Sequence, residues 1–255
     1  MKRLEEAPVR GLQGVMARGR RVLVVGATGR LGIAIARSLA HRGDRVVLTA
    51  RSVDKLEAVA SLAAEVGPPG SSVPPFVAAD LATPDAADTI VAAIRKTVEH
   101  VDDVVLACGP FPRTPFDALS REELLRTLHV HAVAPLLLVH ALAGQLAESR
   151  GAVVALTDAG VTRPYTNHMA YLTAKGALQT GLRALSMELA PEVRVNMVAL
   201  GIVADPEADA DPLRMHRLAT RSPLGRFGTP DEVVHVVLAL LDSTWATGEI
   251  WGVGR

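Results

Sequence analysis

The sequence predicts a single-domain α/β fold, a Rossmann-type doubly wound parallel sheet of about seven strands with helices on both faces. From residue 21 onward, short β-branched runs alternate with longer Ala- and Leu-rich stretches of helical spacing, which is the pattern of repeated βα units. Hydrophobic residues make up 49% of the 255 residues and charged residues 21%, which suits buried strands covered by helices. No interdomain linker or internal repeat is evident, so one domain is expected.

The individual elements follow from local patterns. Strands are expected at short Val- and Ile-rich runs, namely 22–25, 46–49, 73–78, 104–107, 153–157, 193–198 and 250–253. Helices are expected where apolar residues recur at helical spacing, namely 31–41, 53–66, 85–99, 122–148, 169–189 and 231–241. These helix lengths fit the crossover connections that parallel strands require.

Two segments fall outside this rhythm. Residues 1–20 are expected to form a loose basic N-terminal extension, partly disordered, before a single Rossmann-type domain at 21–255. Residues 202–228 carry the prolines Pro206, Pro212 and Pro223 around one short Leu/Met/Arg segment. Long irregular connections are more often substrate lids than scaffold, so we expect a lid there.

Charge and cysteine content narrow the class of partner. Lysine plus arginine and aspartate plus glutamate number 27 each, so no overall field favours nucleic acid or an anionic membrane. The expected partner is a small molecule. The single cysteine, Cys108, excludes an internal disulfide framework and is expected to be a small buried apolar residue. No signal-peptide core or long uninterrupted apolar span is found, so we expect a cytoplasmic protein without a metal site.

A glycine-rich turn lies between the first strand and the first helix. The strand 22–25 runs directly into Gly-Ala-Thr-Gly-Arg-Leu-Gly at 26–32, and an apolar helical stretch follows. This context distinguishes a dinucleotide-binding turn from a merely structural one, because the backbone amides and the helix N-terminus meet the pyrophosphate. The expected nucleotide contacts are Gly26, Thr28, Gly29, Arg30, Leu31 and Gly32.

The second and third strands end in residues that select the cofactor. No acid follows the second strand to bond the ribose of NAD, and Arg51 and Ser52 stand there instead. A guanidinium pairs well with a 2′-phosphate, so NADP(H) is predicted, although Arg51 alone is also typical of a solvated loop start. Asp80, followed by Leu81, either accepts a hydrogen bond from the adenine amino group or caps the next turn.

The chemistry is expected between residues 153 and 175. Tyr171 and Lys175 are four apart in a helical stretch and therefore share one helix face. The lysine charge is expected to lower the tyrosine pKa, so that Tyr171 passes a proton at neutral pH. Asp158 follows the strand 153–157 at the carboxyl edge of the sheet, where ligands of doubly wound folds bind, and is a third candidate.

These motifs resemble the short-chain dehydrogenase/reductase family over nearly the whole chain from residue 22 to residue 254. The family's Tyr-x-x-x-Lys matches Tyr171 to Lys175, its cofactor turn matches 26–32, and the string 223–233 is similar to its segment before the last helix. Val195-Asn196 and Gly201 match the edge where the family holds the nicotinamide amide. The resemblance further implies a homotetramer built through helices 122–148 and 169–189, and cofactor contacts from Cys108, Gly109, Gly201, Val203, Tyr171 and Lys175.

Three details resemble the pteridine reductases within that family. Arg30 stands where most members have glycine, and Asp158 stands where most have the catalytic serine, thirteen residues before the tyrosine. Phe111 falls where that subgroup stacks a phenylalanine on the pterin, although a loop aromatic packed on the core is an equal interpretation. The resemblance implies that Arg30, Phe111, Asp158 and Tyr171 bind substrate.

Other positions depart from the family. Its Asn-Asn-Ala-Gly after the fourth strand is Leu-Ala-Cys-Gly at 106–109, and the proline beside Gly201 is Leu200. The catalytic asparagine is His131, which can relay a proton but is expected to change the kink and the water site that asparagine supports.

Three functions follow from these features. The first is an NADPH-dependent reductase that transfers hydride to a pterin C=N bond. The second is an NADPH-dependent carbonyl or 3-oxoacyl reductase, against which Asp158 argues. The third is a non-catalytic NADP(H)-binding redox sensor, favoured by the altered residues 106–109 and His131 and opposed by the Tyr171–Lys175 pair.

Overall fold

A computed structural model describes residues 19–203, 212–220 and 222–254 and confirms the doubly wound fold. The seven strands are β1 (Arg21–Val25), β2 (Arg45–Ala50), β3 (Phe76–Ala78), β4 (Asp103–Leu106), β5 (Ala152–Asp158), β6 (Arg194–Leu200) and β7 (Ile250–Val253). All of their pairings are parallel, and their order in the sheet is β3-β2-β1-β4-β5-β6-β7. The first three strands are added to the sheet in one direction from β1, and the remaining strands are added in the other direction, beginning with β4. Sheets of this kind form a ligand crevice at such a switch point, which here lies between β1 and β4.

Helices cover both faces of this sheet. They are α1 (Arg30–His41), α2 (Val53–Val66), α3 (Ala86–Thr97), α4 (Arg121–Leu128), α5 (Ala134–Glu148), α6 (Met169–Glu188), α7 (Pro212–Ala219) and α8 (Pro230–Asp242). One apolar core lies between the sheet and α1, α2 and α8, and a second lies between the sheet and α3, α5 and α6. The central strands β1, β4 and β5 are buried on both faces and therefore consist mostly of apolar residues, whereas the edge strands β3 and β7 are partly exposed.

Two predicted elements differ in detail from the structure. The third strand was expected over 73–78 and occupies only Phe76–Ala78, because Pro74 and Pro75 lack the amide hydrogens that extend a ladder. The helix expected over 122–148 is present as α4 and α5, joined by a π-helical turn at His129–Val133. The expected helix is therefore interrupted by one π-helical turn, and His131 lies in that turn.

The expected lid lies only partly within the described residues. Residues 204–211, including Pro206, and the N-terminal residues 1–18 lie outside them. The two ends of the segment 202–228 lie side by side. Gly228 donates its amide to the Ile202 carbonyl at 3.0 Å, and Val203 forms a β-bridge with Gly228. Helix α7 occupies part of the excursion between these ends.

One helical stretch in the described ranges has the length and apolarity of a membrane span. It runs from Arg121 to Glu148, with a mean hydropathy of 1.6 over its most apolar window. Half of that window is buried inside the fold, and its buried residues belong to the apolar core shared with α3 and α6. One side of the stretch therefore packs as a core helix packs.

The turn between β1 and α1 depends on two close backbone approaches. Gly26 has a φ of +84°, and a Cβ there would lie 2.6 Å from the Ala107 carbonyl oxygen. A Cβ on Gly32 would lie 2.2 Å from the Gly26 carbonyl oxygen, so α1 packs directly on the turn. Glycine is required at both positions because no backbone atom nearby can move aside.

Gly32→Ala is therefore expected to lower the free energy of unfolding by about 1–3 kcal/mol, the usual cost of overpacking a rigid site. Gly144→Ala in α5 is the matched control, because a Cβ there meets nothing within 4 Å. In a helix interior that change should stabilise the fold by about 0.5–1 kcal/mol. Urea unfolding of both variants tests the prediction, and effects of the same sign would contradict it.

Candidate active site

The N-terminus of α1 presents unsatisfied amides to the crevice. Its cap residue, Gly29, has no side chain to accept them, and no acid lies in the first turn. Such an end attracts an anion through its N–H groups and the helix dipole. Arg30 begins the helix and donates from Nη2 to the Val203 carbonyl at 3.1 Å, so this guanidinium joins the turn to the start of the expected lid.

The residues after β2 and β3 are placed at the same carboxyl edge. Arg51 is exposed and makes no hydrogen bond or ion pair within the described ranges, while the Ser52 hydroxyl caps α2 by accepting from the Lys55 amide at 3.4 Å. Asp80 accepts the Ala82 amide on Oδ1 at 3.0 Å, so the capping interpretation of Asp80 is correct. Its contact with adenine stays a prediction.

Asp158 organises the chemical end of the crevice. It is the last residue of β5, and its Oδ1 accepts the Gly160 amide at 2.6 Å. Its Oδ2 accepts the Tyr171 hydroxyl at 3.1 Å and the Tyr165 hydroxyl at 3.0 Å. The carboxylate is thus fixed by three donors, two of which are tyrosines that share one oxygen.

Helix α6 presents three polar side chains to β5 at successive turns. The predicted pair Tyr171 and Lys175 is buried, with exposed fractions of 8% and 6%, and lies on one helix face as expected. Lys175 donates to the Leu156 carbonyl at 3.0 Å, and Gln179, one turn further, donates to the Thr157 hydroxyl at 3.0 Å. These bonds anchor the helix to the strand that ends in Asp158.

The expected effect of the lysine on the tyrosine is wrong for this structure. Burial and the negative charge of Asp158 raise the pKa of Tyr171 above its ordinary value. Lys175 lies 5.9 Å from the centre of the tyrosine ring, and burial lowers the pKa of its own ammonium group. Tyr171 is therefore held in the protonated form, ready to act as an acid.

Tyr165 is a site residue that the sequence analysis missed. Burial and then the Asp158 charge raise its pKa as well, so both hydroxyls stay protonated at Asp158. Tyr165 lies in an irregular loop, where residue spacing does not predict which side chains face the site. One signal was present: the chain has only two tyrosines, and they lie six residues apart.

Phe111 contacts other aromatic rings rather than the core. It stacks on His168 with ring centres 4.4 Å apart and meets Tyr171 edge-on at 5.0 Å, while remaining 59% exposed. His168 also forms a hydrogen bond through Nδ1 with the Pro112 carbonyl at 2.7 Å. One face of Phe111 is therefore covered by His168, and its stacking on a pterin stays a prediction.

His131 lies in the π-helical turn directly behind Tyr171. Its ring is 1% exposed, meets the Tyr171 ring edge-on at 5.2 Å, and has no hydrogen bond from either nitrogen within the described residues. A Cβ on Gly109 would lie 2.1 Å from its Cε1, so the larger ring at 131 fits only beside a glycine. Burial and the nearby Lys175 charge lower the pKa of His131 to about 3.

Cys108 confirms its expected structural character. It is buried, and burial raises the pKa of its thiol, so the group is held as a neutral apolar side chain. Its backbone lies against the glycine turn, because a Cβ on Gly26 would come within 2.7 Å of the Cys108 Cα. The position thus shapes the crevice through its backbone.

Strand β6 and the residue after it contact the segment 246–254, which includes β7. Asn196, fully buried, donates to the Ala246 carbonyl at 2.7 Å and accepts the Glu249 amide at 3.2 Å. A Cβ on Gly201 would lie 2.0 Å from the Gly254 carbonyl oxygen, so glycine is required there also. Gly201 and Val203 stand at the carboxyl edge beside Asp158, whose strand partner is Leu200.

The structure thus brings the predicted residues together in two groups along one edge. Asp158, Tyr171, Lys175, His131 and Phe111 form the chemical centre through the contacts described above. The glycine turn and the ends of β2 and β3 form the second group, on the other side of β1 from β4. A bound ketone or imine would meet a protonated phenol at the first group.

Comparison with known proteins agrees with this architecture. The family model described as enoyl-(acyl carrier protein) reductase matches residues 26–254. The L-xylulose reductase of Bos taurus is 31% identical over 90% of this chain and 93% of its own length. The D-erythrulose reductase of Gallus gallus is 30% identical over 91% of this chain and 92% of its own length.

The solved structures agree as well. The L-sorbose reductase of Gluconobacter frateurii, in a complex with NADPH and L-sorbose, superposes with a TM-score of 0.86 at 23% identity. The match covers 94% of this chain and 97% of that one. At this level of identity the likeness shows a common fold.

The buried neutral His131 predicts an acid-sensitive stability. In the unfolded chain the His131 ring binds a proton below about pH 6.5. In the folded chain the ring stays neutral until the pH falls to about 3. Stability contributed by His131 is therefore complete above pH 6.5 and is lost as the pH falls toward 3, at about 1.4 kcal/mol for each pH unit. His131→Asn should remove that slope from the free energy of unfolding.

Urea unfolding at several pH values between 6.5 and 3 measures the slope. His140→Asn, at an exposed histidine of α5, is the matched control and should keep the wild-type slope. Equal slopes for the wild type and His131→Asn would contradict the prediction.

Proposed function

The chain belongs to the short-chain dehydrogenase/reductase family of NAD(P)-dependent oxidoreductases, and on that premise we propose that it is an NADPH-dependent carbonyl reductase. In this proposal Tyr171 gives its proton to the carbonyl oxygen of a small ketone. Lys175 fixes α6 on β5 and lies beneath the tyrosine ring, and Asp158 orients the phenol.

The buried, protonated Tyr171 hydroxyl carries the proposal. An acid must hold its proton until the substrate arrives, and the burial and charge that raise the pKa of Tyr171 ensure this. Tyr171 is therefore present as a hydrogen-bond and proton donor for a bound carbonyl oxygen.

The cofactor edge fits NADP(H). The uncapped N-terminus of α1 suits a pyrophosphate, and Arg51, exposed after β2 without an acid beside it, suits a 2′-phosphate. Bound NADPH would supply the hydride. In the proposal Gly26, Gly29 and Gly32 let the backbone approach the cofactor, and the segment 202–228 acts as a lid over it.

The names of the relatives support a ketone substrate. The bovine and chicken proteins are reductases of L-xylulose and D-erythrulose, and both match this chain over nine-tenths of its length. We extend to this chain the class they share, a small hydroxylated ketone. The buried Tyr171 and Lys175 oppose a non-catalytic sensor, because a sensor has no need of a protonated phenol at the crevice.

Reduction of a pterin C=N bond is the second candidate, and Asp158 favours it. A carboxylate can accept hydrogen bonds from the amino and ring N–H groups of a pterin, for which a serine is less suited. Arg30 and the open face of Phe111 lie at the same crevice. Against this candidate, the Tyr165 and Tyr171 hydroxyls already donate to Asp158 Oδ2.

We also propose assembly as a homotetramer through the helices on the α5–α6 face. Several large apolar side chains on α4, α5, α6 and the turn between α4 and α5 are exposed: Leu125, Val133, Leu137, Met169 and Met187. Exposed apolar surface of this kind is typical of a contact with another copy.

Loss of NADPH absorbance with separate substrates tests the function. D-erythrulose or L-xylulose should be turned over faster than a dihydropterin or a 3-oxoacyl thioester, and NADPH should be used in preference to NADH. Tyr171→Phe should lower kcat by at least about 100-fold, because the proton donor is removed.

Asp158→Ser separates the two candidate functions. A carbonyl reductase should keep measurable ketone turnover in this variant, because the serine hydroxyl also donates. A pterin reductase should lose its activity, because the carboxylate that accepts the substrate N–H groups is gone. Turnover of dihydropterin alone, lost in Asp158→Ser, would overturn the carbonyl proposal.

A further inference from the structure

The proposed reaction leaves one hydrogen-bond donor unassigned. A ketone oxygen has two lone pairs, and the charge that develops on it is stabilised best by two donors. Tyr171 supplies one of them. At the position where most family members have serine, Asp158 offers only acceptors when it is ionised.

We propose that Tyr165 is this second donor, a catalytic hydroxyl that binds the same substrate oxygen as Tyr171. The inference rests on the proposed carbonyl reduction. The two phenol oxygens lie 3.0 and 3.1 Å from one carboxylate oxygen, so they are no more than about 6 Å apart. An oxygen atom placed between them can accept from both.

The ring of Tyr165 is fixed while its hydroxyl is free to turn. A Cβ on Gly160 would lie 2.3 Å from the Tyr165 Cε1, and the edge of His168 meets the ring at 5.1 Å. The loop that carries it is tied to the loop after β4, because Thr114 donates its amide to the Asn167 carbonyl at 2.7 Å. Rotation about the C–O bond then redirects the O–H without any movement of the backbone.

Asp158 holds the hydroxyls of Tyr165 and Tyr171 in place before the substrate binds. The Gly160 amide holds Oδ1 at 2.6 Å, so the carboxylate stays in place when the hydroxyls turn from Oδ2 to the substrate. Tyr171 is nearly buried, whereas Tyr165 is half-buried on the open side of the site. In the proposed reaction a hydride from bound NADPH would add to the carbonyl carbon, leaving NADP⁺, and the Tyr171 proton would move to the oxygen. The Tyr171 phenolate would then regain a proton from solvent water, while Tyr165 keeps its own proton throughout.

A double-mutant cycle with D-erythrulose and NADPH tests the role. Tyr165→Phe keeps the ring and removes the hydroxyl, and it should lower kcat/KM by about 10- to 100-fold, a loss typical of one oxyanion donor. In the Asp158→Ser background the same change should cost less than about twofold, because the serine supplies the second donor.

A role of Tyr165 in holding its loop, independent of Asp158, would give the same loss in both backgrounds, and that result would overturn the proposal. A role limited to positioning Asp158 through the bond to Oδ2 would also disappear in the Asp158→Ser background, and the binding measurement below distinguishes it. Thr162→Val is the matched control. It removes a hydroxyl of the same loop that, among the described residues, bonds only the Ala159 carbonyl, at 3.1 Å, and it should leave kcat/KM at the wild-type value.

A binding measurement separates this inference from the proposed function. The chain has two tyrosines, so full-length protein with isotope-labelled tyrosine gives two assignable NMR signals, identified with Tyr165→Phe. Adding D-erythrulose to the NADP⁺ complex should move both signals. Movement of the Tyr171 signal alone overturns the Tyr165 role and leaves the carbonyl function standing, and movement of neither overturns both.

Discussion

The shared hydrogen-bond acceptor Asp158 Oδ2 is the interaction on which the rest of the site depends. It holds two phenol hydroxyls that come from different elements, Tyr171 from α6 and Tyr165 from the loop before it. The bonds from Lys175 and Gln179 to the end of β5 keep the helix in register with that carboxylate. The Asp158 carboxylate therefore joins two tyrosine hydroxyls at one oxygen atom.

A second constraint explains the unusual residues behind Tyr171. The His131 ring fills the space beside Gly109, where no Cβ fits, and its edge supports the Tyr171 ring. His131 also lies in the π-helical turn at His129–Val133. Gly109 and His131, which are far apart along the sequence, are thus parts of one packing arrangement.

The fold and the glycine turn at 26–32 were predictable because they rest on periodic patterns and on glycines forced by close backbone contact. The predicted strand and helix positions agree with the structure, apart from a third strand shortened by Pro74 and Pro75 and a long helix divided by the π-helical turn at His129–Val133. The pKa direction of Tyr171 was not predictable, since spacing shows that Lys175 is near but not that Asp158 is nearer and that both groups are buried. The position of Tyr165 was not predictable either, because it lies in an irregular loop whose place is set by the hydrogen bond from the Thr114 amide to the Asn167 carbonyl.

Absorbance titration of tyrosinate tests the central claim most directly, since the only two tyrosines of the chain both bond Asp158. Burial and the carboxylate charge raise both pKa values, so folded wild-type protein should show no tyrosinate near the ordinary value of 10.0. Asp158→Asn should lower both pKa values and bring tyrosinate in at lower pH, because the repelling charge is gone. Wild-type tyrosines that ionise near 10.0, or a titration that Asp158→Asn leaves unchanged, would contradict the account.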